Sequence, residues 1–325
     1  MPKDKTNIYQ EFKNRLNENS MMPFDEFVNL ALYHPTLGYY SQRKERVGKS
    51  DNSDFYTSNS IGSPWGELIV EACTQILKPK ELKNYTFIEI AAEPDCSILN
   101  QIDHPFESTM TYRLGDSIEI PYQSIVFSNE WLDAQPFKRF RFDGTQKEWM
   151  EIGVNLLEKK FTECFFQTKQ SAVFPKECID GYTIDWPTGA RTAMNEIISQ
   201  NWRGLFLTFD YGLSRNTILQ ERPEGTARGY SKHKINTDLL SMVGGQDLTC
   251  HLCWDELIDC LKSKKFFSPK LQSQESFFMH HSQNSIKQLI EKSNDPLDSK
   301  MQKLKELIHP QHLGNKFQAL WAVRK

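Results

Sequence analysis

Apolar and polar positions follow two rhythms along this chain, and the rhythms change often. Residues 8–17 (IYQEFKNRLN) and 23–33 (PFDEFVNLALY) carry apolar side chains at three- and four-residue spacing, which predicts two amphipathic helices. Pro23 suits a helix's first turn. Ser63-Pro64 opens a third helix to about Leu77, with Trp65, Leu68, Ile69, Ala72 and Ile76 on one face. Short runs that are apolar on both faces follow: Tyr85 to Ile90, SIVFSN at 124–129, LFLTFDYG after Gly204, and Phe317 to Val323. Such runs predict strands buried inside a sheet. Residues 137–170 alternate instead, with a turn at Asp143-Gly144, and predict antiparallel hairpins inserted in that sheet or edging it.

Further helices are expected at 188–201, 254–263, 284–293 and 297–308. Residues 98–118 read as irregular, with His104-Pro105 breaking any helix. Segments 42–54 and 213–232 read as loops. Strands alternating with helices give an α/β class with a mostly parallel sheet, and ligands of such sheets sit at the carboxyl ends of the strands. The ends to watch are Glu89, Asn129-Glu130 and Asp210-Tyr211. The expected organisation is a helical region over 1–80 packed on an α/β core over 81–325. That core carries the hairpins (137–170) and a long loop or insertion (213–283).

Composition narrows the function classes. A net charge of −3 over 325 residues gives no bulk attraction to nucleic acid. Apolar runs such as Leu205 to Phe209 are far too short to span a bilayer, and the first residues show no apolar stretch for secretion. A cytoplasmic protein is expected. Seven cysteines at irregular spacing fit reduced thiols. The one CxxC, Cys250 to Cys253, lies in an alternating run and reads as buried strand thiols rather than a metal or redox pair. No metal is expected.

Several blocks, taken in order, resemble one family, the MidA-type S-adenosylmethionine-dependent methyltransferases. That family includes a mitochondrial protein-arginine methyltransferase serving respiratory complex I assembly. The blocks are MPFDEFVNLALYHPTLGYY, DFYTSNSIGSPWGEL (54–68), SNEWLDAQPFKRF (128–140), LTFDYG (207–212), GTARGYSKHK (225–234), DLTCHLCWDEL (247–257) and HPQHLGNKFQALW (309–321). The resemblance implies a class I methyltransferase (Rossmann-like) fold with a helical N-terminal extension. It also implies S-adenosyl-L-methionine lying over the carboxyl edge of the sheet, and a protein arginine as acceptor. A protein substrate and a homodimer are the partners it leaves open.

Two departures stand out. The loop after Glu89 should be rich in glycine and reads Ala91, Ala92, Glu93, Pro94, Asp95, Cys96, Ser97. The stretch before the strand at 124 is short, shows no second strand, and offers Asp103, Glu107 and Asp116 as acids for the donor's ribose.

Residue chemistry supplies the candidate site. A guanidinium needs carboxylates in a defined plane, and Glu130 and Asp133 with Asn129 could grip it. They could equally cap a helix start. Glu89, Ala91, Asp210 and Tyr211 are the expected donor contacts, with Thr57, Ser58 and Glu67 from the N-terminal block. Asp210-Tyr211-Gly212 could also be a plain strand-ending turn. Tyr39, Tyr40, Phe55 and Tyr56 could stack on the adenine or simply pack. Arg228, Tyr230 and His233 belong to a loop that could cover the acceptor or be a solvated basic segment. Three functions follow: an active methyltransferase, an inactive relative kept as a binding or assembly factor, and a nucleotide or nucleic-acid binder, for which no glycine-rich phosphate motif is present.

Overall fold

The computed structural model describes residues 7–16, 21–41, 62–78, 81–92, 97–168, 173–232, 234–292 and 298–325. In chain order the first elements are α1 (Ile8–Arg15), β1 (Met22–Pro23), α2 (Phe24–Tyr33), α3 (Ser63–Leu77), β2 (Thr86–Ile90), β3 (Ser108–Tyr112) and β4 (Gln123–Asn129). Then come β5 (Lys138–Asp143), β6 (Glu148–Leu157), β7 (Lys160–Gln167), β8 (Thr183–Trp186), α4 (Thr188–Ile198), β9 (Arg203–Asp210), β10 (Gly212–Leu213), α5 (Arg215–Gln220), β11 (Arg228–Ser231) and β12 (Lys234–Asn236). The rest are β13 (Asp247–Thr249), β14 (Leu252–Cys253), α6 (Trp254–Ser263), β15 (Phe267–Ser273), α7 (Gln274–His281), α8 (Gln283–Lys292), α9 (Ser299–Ile308) and β16 (Gln318–Arg324).

The chain forms two compact units, each built from three stretches. The first comprises Met1–Phe55, Asp133–Thr192 and Leu213–Cys253; the second comprises Tyr56–Leu132, Ala193–Gly212 and Trp254–Lys325.

The second unit carries a six-stranded sheet in the order β15-β16-β9-β4-β2-β3. β3, β2, β4 and β9 run parallel, and β16 is antiparallel to both its neighbours. Apolar residues on both faces bury β2 and the centre of β4 completely, as expected of inner strands. α3 starts with Pro64 in its first turn and buries Trp65, Leu68, Ile69 and Ala72. Trp65 meets Phe127, Phe209 and Phe278 edge-on, so one aromatic cluster ties α3 to the sheet and to α7. Glu71 of α3 accepts the backbone N–H groups of Asn284 and Ser285, which caps α8.

β3 is a strand where an irregular segment was expected. Its five residues, Ser-Thr-Met-Thr-Tyr, bury neither face and so show no apolar alternation. The ladder to β2 and the β-branched threonines define it instead. β15 and α7 likewise occupy part of the expected 213–283 insertion.

The first unit is built on a five-stranded antiparallel sheet. β6 pairs with β5 and β1 on one edge and with β7 on the other, and β8 extends the sheet beyond β5. The expected hairpins therefore form a sheet of their own. Their alternating residues Phe140, Phe142, Ile152 and Val154 are buried. α1 is capped by Asn7, whose side chain accepts the N–H of Gln10. It adds Phe12 to a cluster with Phe27 and Phe161. The expected loop at 213–232 contains α5, capped by Ser214, and the whole of β11.

Candidate functional site

The parallel strands of the second unit end level with one another. Ile90 of β2 lies beside Ser128 of β4, and Asn129 lies beside Phe209 of β9. Just below this rim the hydroxyls of Ser128 and Thr208 hydrogen bond at 2.8 Å, both buried. The side chains expected at the three strand exits therefore share one edge of the sheet.

Glu89 is buried, and its Oε2 accepts Ser97 Oγ at 2.9 Å and Ile98 N at 3.0 Å. The chain leaving β2 is thus folded back onto the strand that launched it. Ala91 begins the excursion at φ +59°, a backbone region that glycine normally fills, and its side chain is exposed. Ala92 donates its N–H to the carbonyl of Tyr112 at 3.2 Å. Glu93, Pro94, Asp95 and Cys96 lie outside the described residues, as do Thr57, Ser58, Phe55 and Tyr56.

Gly66, next to Glu67 on α3, has a packing role. A Cβ there would collide with the carbonyl oxygen of Ile98 and with Ile102. The glycine lets α3 lie against residues 98–102. Glu67 itself is half-buried.

At the next exit, Asn129 is buried and gives Nδ2 to Glu130 Oε1 at 3.0 Å. Its Oδ1 is buried with no hydrogen-bond partner among the described residues. Glu130 sits at φ +49°, with its N–H on the carbonyl of Phe209 at 3.0 Å. A non-glycine residue in this region stores strain, and strain of this kind gathers at functional sites.

Asp210 is fully buried and holds two backbone N–H groups. Oδ2 accepts Leu132 N at 3.0 Å and Oδ1 accepts Tyr211 N at 2.9 Å. It pins the 130–132 turn to the end of β9. Tyr211 packs its half-buried ring on Phe317, with centroids 4.9 Å apart. The exit of β3 is Tyr112-Arg113, with no acid in the strand itself. Asp116 Oδ2 accepts Arg113 N at 2.7 Å and closes the turn there. Asp103 and Glu107 precede β3 and so stand at its opposite end.

The remaining candidates belong to the first unit. Asp133 is buried, and its carbonyl accepts Cys250 N at 3.3 Å. Glu130 and Asp133 thus fall in different units. Tyr39 is part of the apolar core, and Tyr40 stacks on Tyr33 and donates its hydroxyl to both carboxylate oxygens of Asp247. Burial, with the charges of Asp247 and Asp133, pushes the Tyr33 hydroxyl well above the ordinary tyrosine range. Arg228 and Tyr230 lie in β11, and His233 is outside the described residues.

The 225–227 loop has an anchor that sequence reasoning missed. Asp185 Oδ2 accepts the N–H groups of Thr226 and Ala227 at 2.6 and 2.7 Å. Its Oδ1 takes Arg139 Nε at 2.7 Å, and Arg139 also pairs with Glu163 at 2.9 Å. Burial works against the Arg139 charge, but Asp185 and Glu163 outweigh it and hold the guanidinium above its ordinary value. The sequence signal was Asp185 standing between Ile184 and Trp186; Arg139 is one of two arginines in the alternating run KRFRFD and did not stand out.

Cys250 and Cys253 are both buried. No group of three or more metal-ligating side chains occurs among the described residues. No helix among them is long and apolar enough to cross a membrane.

Residues 74–310 match the sequence profile of a family described as "Putative S-adenosyl-L-methionine-dependent methyltransferase". The fold resembles that of a "likely methyl transferase from Burkholderia thailandensis bound to S-adenosyl-homocysteine". The TM-score is 0.84 at 17% identity, covering 98% of this chain and 92% of that one. A second Burkholderia thailandensis structure, of an uncharacterized protein of the same superfamily, gives a TM-score of 0.80 at 17% identity, over 98% of this chain and 91% of that one. No curated protein matches the chain.

Proposed function

This chain belongs to that methyltransferase family, and from that premise we propose that it binds S-adenosyl-L-methionine and methylates a protein arginine in the manner of the MidA type. The observation that carries the reading is the buried Oδ1 of Asn129 at the carboxyl edge of β4, without a hydrogen-bond partner among the described residues. An acceptor left so costs about 1–3 kcal/mol, which a bound N–H group would recover.

The residues present fit the donor. Ala91 already follows the left-handed course a glycine would take, and Glu89 closes the loop behind it. Glu89, Ala91 and Tyr211 would hold the donor, Asp210 would act through the turn it fixes at Leu132 N and Tyr211 N, and Glu67, Thr57 and Ser58 are assigned by the sequence resemblance. When bound, the donor supplies an electrophilic methyl carbon on a sulfonium, so the chain's own share is alignment and exclusion of water. Asn129 Oδ1 would accept an N–H of the acceptor nitrogen and orient it, and the proton lost as the N–C bond forms and the S–C bond breaks would pass to the Glu130 carboxylate. The carboxylate of Glu130, and by the sequence argument that of Asp133, offsets the guanidinium charge. Arg228, Tyr230 and His233 are assigned to the acceptor's approach. The setting is a cytoplasmic one with a protein partner.

A second reading, a binding or assembly factor on the same fold, is favoured by Glu93-Pro94-Asp95 standing where glycines belong. Titration calorimetry separates the two. The methyltransferase reading expects heat on adding S-adenosylmethionine, and for Asn129→Ala a loss of methyl transfer of tenfold or more with donor affinity unchanged. Folded protein that gives no heat at millimolar donor leaves the assembly factor.

A further inference from the structure

We propose that β3 is the interface of a symmetric homodimer, pairing antiparallel with β3 of a second copy about a two-fold axis at Met110. The inference concerns a surface of the second unit and does not rest on the methyl-transfer reading.

β3 ends the sheet, so among the described residues the outer row of its backbone groups faces no other strand. Natural sheets guard such an edge with lysine, proline, a bulge or a covering element, because a bare edge pairs with another chain. Among the described residues β3 has none of these. Its residues Ser108, Thr109, Met110 and Thr111 are exposed, Met110 by 38%, and Tyr112 is half-buried. The pairing with β2 is regular throughout. Its composition is uncharged and β-prone.

The flanking residues select the partner. Glu107 and Arg113 are both exposed, and neither is in an ion pair with another described residue. Each stands three positions from Met110. An antiparallel pair centred on Met110 places every residue opposite the one equally far on the other side. Glu107 then faces Arg113 of the second copy, Ser108 faces Tyr112, and Thr109 faces Thr111. Directly opposed side chains lie about 5 Å apart at Cβ, within reach of an Arg–Glu pair, and Thr–Thr pairs are favourable. The symmetry makes both ion pairs at once. An unrelated strand would satisfy the free edge equally well but has no reason to match this charge order. The contact is an isologous one, the commonest in soluble oligomers. A strand edge alone buries less than a standard interface, so the dimer is weak and concentration-dependent.

Sedimentation velocity on the full chain from ten to several hundred micromolar tests this. The wild type is expected to shift from monomer to dimer across that range. Arg113→Glu sets two acids against each other, Glu107→Arg sets two arginines, and each should weaken dimerisation tenfold or more. Mixing these two variants in equal amounts should restore dimers, because both cross-pairs become Arg–Glu again. The double variant Glu107→Arg, Arg113→Glu should dimerise like the wild type. A wild type that stays monomeric at the highest concentration overturns the proposal. So does a dimer indifferent to both reversals, or a mixture that remains monomeric.

Discussion

Two loops in this chain start from a left-handed residue and are tied to a buried carboxylate, and they meet the same demand with different residues. In the first unit Gly225 has φ +70°, and the two N–H groups after it bind Asp185. In the second unit Ala91 has φ +59°, and Glu89 gathers Ser97 and Ile98. At Gly225 a Cβ would strike the Oδ2 atom that anchors the loop. At Ala91 the Cβ is present and exposed. Glycine is therefore indispensable where backbone must press against another atom. Where only a positive φ is required, alanine serves at about 1–2 kcal/mol. The missing glycine at position 91 does not by itself bar the backbone course of a donor loop.

The contrast can be broken from the first-unit side, where the largest effects lie. Asp185 is completely buried, and Arg139 is its charged partner. Arg139→Met should lower unfolding stability by about 3–5 kcal/mol, because it leaves a buried carboxylate with only backbone donors. Adding Asp185→Asn should recover part of that loss, since the remaining group is neutral. Urea unfolding of both variants measures it, and a loss under 1 kcal/mol for Arg139→Met would mean the loop is held by something else. Gly225→Ala comes next, at about 2–4 kcal/mol, because steric conflict adds to backbone strain. Equal tolerance of alanine at 225 and 91 would remove the distinction between the two loops.

A third measurement uses acid. His251 donates its backbone N–H to Thr226 Oγ1 in the anchored loop. Burial holds its imidazole below the ordinary histidine value, against the ring's own hydrogen bond with the Thr226 backbone, and Arg222 and Arg228 add to the depression. The unfolded chain therefore binds the proton more tightly than the folded one. This contribution to stability is complete above the ordinary value, about 6.5, and is lost as pH falls below it. Wild-type stability should drop on going from pH 7 to pH 5, and the drop should be shallower in His251→Gln. It should not vanish, because burial and Lys270 depress His281 in the same direction. Identical slopes in the two proteins would show that His251 is solvated.

What could be read in the sequence follows from which residues bury themselves. β2, β4 and β9 are apolar on both faces, and α3 carries Trp65, Leu68, Ile69 and Ala72 on one stripe, so periodicity finds them. β3 buries no side chain in sequence and was invisible to the same test. The strand exits at Glu89, Asn129 and Asp210 were legible because parallel sheets place ligands there. Their individual tasks were not. That Asp210 holds Leu132 N, or that Gly66 admits Ile98, depends on residues dozens of positions away. The Arg139–Asp185 pair was hidden for the same reason, since neither residue carries a local pattern that names its partner.

The smallest effect is the sharpest test of the loop that follows Glu89. Ala91→Gly removes the left-handed strain, worth about 1–2 kcal/mol, and enlarges the unfolded ensemble, which takes back about 0.4–1 kcal/mol. The net expectation is a gain between about 0 and 1 kcal/mol in urea unfolding. The opposite sign would mean that Ala91 is not left-handed in solution, and the loop would then leave β2 by another path. The same variant also weighs the two functional readings. If the backbone after Glu89 is already set to receive a donor, glycine at 91 should leave the heat of S-adenosylmethionine binding nearly unchanged. If binding appears only in the variant, alanine itself is the block, and the natural chain has given up the donor while keeping the fold that once held it.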